Sequence, residues 1–188
     1  EITRTRISNE PNGDIALAGH LKANSEMISA ARVRGDRERI AELAIEAVER
    51  ITAKLRRTRL EASYFNTLLG QRFDFARAYV DALDRSNLRR GDRVRVFEGV
   101  ARLAAADVVV LDLLEKGVSA LEEWWRDVED RPVADLSACK MLSRMLGKLE
   151  KIEQQLAGYK RDTGPISDIE SRRRELEYRG AALQNGIG

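Results

Sequence analysis

Five guanidinium groups crowd one short stretch of this sequence. Arg85, Arg89, Arg90, Arg93 and Arg95 lie in "RSNLRRGDRVR", with Asp84 and Asp92 as the nearby acids. The planar arginine fork matches phosphate and carboxylate geometry, so the chemistry on offer is the binding of an anionic lipid surface, a nucleic-acid backbone or an acidic protein. A second cluster, "ITAKLRRTRLE", holds Lys54, Arg56, Arg57 and Arg59 with Arg50 upstream, and Arg172, Arg173 and Arg174 form a third run. On a helical wheel the second cluster spreads around the helix, against a groove-tracking surface, and the third reads as a solvated face. Catalytic groups are scarce. His20 is the single histidine and Cys139 the single cysteine, which leaves no intrachain disulfide, no His-based metal cluster and no Cys/His pair. Helical di-iron sites need Glu-x-x-His pairs, and no Gly-rich phosphate loop or nucleophile elbow occurs. The reading is a non-enzymatic protein with no cofactor and no metal.

Composition says which elements must carry these groups. Charged residues make up 34% of the 188, aromatics 5%, and there are three prolines, a mix suited to long helices and poor for a β-sandwich. Hydrophobic residues at 43% suffice for a core. The net charge of +2 says little about partners, and the excess of 26 arginines over seven lysines reads as the composition of a GC-rich, bacterial genome. "EITRTRISN" has no initiator Met and no signal peptide. It is read as an excised segment of a longer, cytoplasmic protein, with flanking segments outside this chain as a further route to a membrane.

Periodicity predicts an all-α, elongated antiparallel bundle of coiled-coil-like helices. Residues 1–23 read as a polar arm with a turn at "EPNGD", and 24–188 as a single domain. A short helix is expected over Ser25–Arg34, with Asp36 capping the next. From Ile40 through Ile51, Leu55, Phe65, Phe73 and Val80 to Leu83, apolar residues recur at three- and four-residue steps. They keep to a sector of roughly 160°, which predicts one uninterrupted helix over 36–84, about 70 Å long. A turn is expected near Leu88, then a helix over 93–129 ended by Pro132, and shorter helices over 136–160 and 167–183. Ser167 and Glu170 read as a capping box.

"ARLAAADVVVLDLLEKGVSALEEWW" is apolar enough to raise the question of a membrane span. Asp107, Asp112, Glu115 and Lys116 interrupt it, and a span needs about 18 uninterrupted apolar residues. More than half of its circumference is apolar, Val100 included, so it is expected to be a central helix contacted from at least two sides. Asp107 falls inside that sector and needs a partner, expected to be an arginine from a neighbouring helix. Trp124 and Trp125 cannot share one narrow seam: one belongs to the core and the other to a subunit or partner interface.

If the two long helices run antiparallel, the basic cluster at 50–59 falls opposite the acids of 115–130 and is matched internally. The function expected is structural: assembly through protein–protein contact, with a homodimer covering apolar surface that the shorter helices after Pro132 leave bare. The alternative is a membrane-surface module of BAR-like design, an analogy of architecture alone, binding anionic lipid through Arg85, Arg89, Arg90, Arg93 and Arg95. Nucleic-acid binding through the same arginines ranks third, with no stacking pattern or recognition helix behind it.

Overall fold

Gly35 and Asp36 set the first junction. Gly35 takes φ +69°, a left-handed conformation that glycine adopts without the cost of a Cβ. Its N–H donates to the Arg32 carbonyl at 3.1 Å and that of Asp36 to Ala31 at 2.9 Å, the paired bonds of a Schellman motif. Asp36 then opens the next helix, its Oδ1 accepting from the Arg39 N–H at 3.1 Å, as an N-cap aspartate does.

The computed structural model describes residues 11–57, 60–84, 92–131, 136–160 and 164–186. Over these the protein is an all-α helical bundle. Its helices are α1 (Pro11–Arg34), α2 (Arg37–Arg57), α3 (Ala62–Asp84), α4 (Asp92–Glu129), α5 (Leu136–Ala157) and α6 (Gly164–Gly186), and no strand occurs among the described residues. The chain groups into two compact units, Glu1–Val100 and Ala101–Gly188.

In the first unit α1, α2 and α3 run up, down and up. Lys54 Nζ meets Asp14 Oδ1 at 2.6 Å and Asn24 Nδ2 donates to the Leu43 carbonyl at 3.2 Å, so α1 and α2 are antiparallel. Residues 11–23, expected to be a polar arm, are the first half of α1, started by Pro11 where its missing N–H costs nothing. The single helix over 36–84 is corrected too. Leu60 and Glu61 are not helical and the chain folds back there. No glycine or proline marks the break. A straight helix would leave its stripe in water, whereas folding back buries Val48 and Ile51 on one arm and Phe73 and Ala76 on the other. Both arms face the same interior, so the stripe stays in phase across the turn and the pattern alone cannot show it.

The second unit repeats the up-down-up order. Tyr159 beside Asp107 and Leu149 beside Gly117 make α5 antiparallel to α4, while Arg172 on Glu122 and Arg179 on Glu129 make α6 parallel to it. The core of α4 is one stripe, from Leu103 through Val110, Leu114, Val118 and Leu121 to Trp125 and Val128. α6 buries Ile166, Ile169, Arg173, Leu176 and Gly180, a strict three-four alternation that presents one seam. Gly180 allows the close approach there: a Cβ would stand 2.7 Å from Leu142 Cδ2 and 4.0 Å from Trp125 Cζ2. α6 also begins a turn earlier than expected, so Ser167 lies inside the helix and Glu170 pairs with Arg174 in place of the capping box. The turn near Leu88 lies outside the described residues.

Candidate interaction surfaces

Of the arginines expected to hold an anion, Arg85, Arg89 and Arg90 lie outside the described residues. Arg93 and Arg95 stand in the first turns of α4. In the cluster at 50–59, Arg56 and Arg57 are exposed and Arg59 lies outside the described residues. Arg50 is bonded to Glu46 at 2.9 Å on its own helix and Lys54 to Asp14 of α1. Two of the acids expected opposite them, Glu122 and Glu129, serve α6. Arg172 Nε donates to Glu122 Oε1 and Nη2 to Ser119 Oγ, both at 2.9 Å, and one heptad on Arg179 pairs with Glu129. Arg173, read as solvated, is 5% exposed and donates from Nε to Glu153 Oε2 at 2.9 Å. Only Arg174 of that run is exposed, and it pairs with Glu170. A sequence run of three arginines therefore splits into a flank pair, a core pair and a surface pair, because successive helical positions point about 100° apart.

These pairs tune their carboxylates differently. The Arg172 hydrogen bond holds Glu122 below the ordinary carboxyl range, and that of Arg179 does the same for Glu129. Burial pushes Glu153 the other way, above its usual value, despite Arg173. A carboxyl depressed in the folded state contributes stability that is complete above its unfolded pKa and is lost as pH falls through the folded one. Acid should therefore loosen the α4·α6 flank. Glu122→Gln with Glu129→Gln is expected to flatten the fall of the urea midpoint between neutral pH and the acid side of the carboxyl range, and an unchanged slope would refute this assignment.

Asp107 is 2% exposed and accepts from the Tyr159 hydroxyl at 2.7 Å, with Lys160 Nζ at 4.0 Å. Its described partners come from the end of α5 and the residues after it. The structure divides the tryptophans. Trp125 is fully buried, with Nε1 donating to Glu129 Oε1 at 2.8 Å, and Trp124 is half-buried beside it, ring centroids 5.9 Å apart.

Two further features come from the fold. A cleft of about 580 Å³ lies between α1 and α3. Its floor of Leu21, Ile28, Leu68 and Phe75 is already covered. At one end Tyr64 stands beside Asp14 and Lys54, and burial, with the Asp14 carboxylate, raises its hydroxyl above the ordinary value. A phenol held in its protonated form ties helices together and is a poor base. The second feature is the bare flank of α4. Ala101, Ala104, Ala105 and Val108 are exposed, Val108 to 62%, and Val100, expected to be buried, is 47% exposed. The cause is length. α4 has 38 residues against 22 in α5 and 23 in α6, about 57 Å against about 34 Å. Arg172 level with Glu122 places the start of α6 about level with Leu114 on α4, so the flank that α6 covers further along is bare before it.

Among the described residues no group of three His, Cys, Asp or Glu side chains could hold a metal ion, and no helix is long and apolar enough to cross a membrane. No family model matches the chain, nor does any curated protein or solved structure.

Proposed function

We propose that this is a non-enzymatic assembly domain that self-associates through the bare flank of α4. The observation that carries the reading is the mismatch in length: α5 and α6 leave Ala101, Ala104, Ala105 and Val108 without a neighbour. A second copy supplies the missing helix by placing the same flank of its own α4 across a two-fold axis, the commonest symmetry of soluble oligomers. Alanines there let two backbones approach closely, and Val108 would exchange water for apolar contact. Such a dimer spaces the segments attached to its two chains, which is what a structural module does.

Sedimentation equilibrium tests this. The protein should run at twice its chain mass, and Val108→Glu, which buries an unpaired carboxylate in the contact, should weaken association about a hundredfold or more and return the monomer mass with helicity unchanged. A monomer at high concentration, or a dimer indifferent to Val108→Glu, would remove the proposal.

A further inference from the structure

The outer face of α5 gathers four cations with no acid of its own helix among them. Lys140, Arg144, Lys148 and Lys151 are all exposed and fall within about 80° of one another at 100° per residue, along roughly 16 Å of helix. The only acids of α5 are Glu150 and Glu153. Both turn to α6: Glu153 is buried against Arg173, and Glu150 lies 3.9 Å from the same guanidinium. No acid of α5 therefore stands in the sector of the four cations.

The row is costly to the helix that carries it. Lys140 and Arg144, Arg144 and Lys148, and Lys148 and Lys151 are like-charged neighbours at four- and three-residue spacing, an arrangement that destabilises a helix. Opposite charges do pair at these spacings on other helices, as Glu46 with Arg50, Asp112 with Lys116, Glu170 with Arg174 and Arg39 with Glu42, and none of the four cations of α5 has such a neighbour on its own face. A repelling row on a solvated face is relieved when an anionic surface meets it.

We infer that this face of α5 is a contact surface for an anionic lipid bilayer. Three of its four cations are lysines, in a chain with 26 arginines and seven lysines. Lysine is a compact hydrated charge without arginine's bidentate fork, suited to the diffuse field of a charged headgroup layer. Met141 and Leu136, 52% and 47% exposed, border the row. An interface of headgroups and acyl chains accepts such side chains at its surface, whereas a phosphate backbone offers them nothing, and no aromatic residue stands on this face for a base to stack on. The surface is distinct from the arginines at 85–95 and from the bare flank of α4, and it does not depend on the dimer.

Co-sedimentation of the full chain with vesicles decides the matter. Binding is expected to phosphatidylserine-containing phosphatidylcholine vesicles and not to phosphatidylcholine alone, weakening as salt is raised. Each neutralised cation should cost about fivefold in partitioning, so Arg144→Glu with Lys148→Glu should lose at least about 25-fold. Arg56→Glu with Arg57→Glu, which makes the same change in net charge at exposed sites on α2, should retain the binding. Met141→Asp should weaken it as well. The inference is overturned if the chain ignores phosphatidylserine, if both charge-reversed pairs lose binding equally, or if a single-stranded oligonucleotide at equal phosphate concentration displaces the vesicles and is itself released by Arg144→Glu with Lys148→Glu.

Discussion

Replacing Arg173 by leucine is expected to destabilise the protein by about 3–5 kcal/mol, the usual cost of leaving a buried charge without its partner. The guanidinium lies in the α5·α6 seam, in line with Ile169 and Leu176, and its Nε bonds both oxygens of Glu153 at 2.9 and 3.1 Å. Glu153 is 4% exposed and burial already raises its pKa. Without Arg173 the carboxyl goes further in the same direction. A group whose folded pKa is raised favours the folded state once it is protonated. The defect of Arg173→Leu should accordingly be largest at neutral and alkaline pH and shrink as the solution is acidified through the raised pKa. The double change Arg173→Leu with Glu153→Leu should recover the loss, and a gain of about 1–4 kcal/mol over the parent is within what apolar replacement of a buried pair gives. Urea unfolding of the four proteins around this cycle measures the coupling directly. A single variant as stable as the parent would show that the pair is not buried as described. The pair also favours one register of α5 and α6: sliding either helix by one turn would set the buried Glu153 carboxylate against Ile169 or Leu176.

Trp125→Ala should cost a comparable amount, about 3–5 kcal/mol, through the cavity left where the indole stood. The ring fills the space above Gly180, which has no side chain to move in after it, and the substitution also removes the hydrogen bond to Glu129. Trp124→Ala should cost about 1 kcal/mol, since the side chain is half-buried and the surface it covers is smaller. Thermal or urea unfolding of the two variants separates the residues, and equal losses would contradict the assignment of Trp125 to the core and Trp124 to its edge.

The Trp pair shows how far pattern alone reaches. Two adjacent indoles on a helix point about 100° apart, so it follows from the sequence that one is in and one is out. Which of them is buried depends on where the seam of α4 meets α5 and α6, and Trp125 wins because it continues the line of Leu114, Val118 and Leu121. The same limit applies to the arginines. Arg172, Arg173 and Arg174 look alike in the chain, and only the position of Glu122 and Glu153 on other helices makes the first a flank residue and the second a core residue.

By itself the sequence determined the helical class, the cap at Asp36, the end of α4 before Pro132 and the apolar line along α4, because each rests on local backbone chemistry or on a period read within one helix. Tertiary structure decided the rest. It broke 36–84 at Leu60 and Glu61, where burying the two halves of one stripe against each other outweighs continuing the helix. It extended α1 back to Pro11, where Asp14 finds Lys54 of α2. It turned Glu153 of α5 inward and left Lys140, Arg144, Lys148 and Lys151 outward, since a buried carboxylate requires a cation and Arg173 stands on only one side of that helix. Pairing between segments distant in the chain follows from which faces must leave water together, and a one-dimensional pattern carries the faces without their partners.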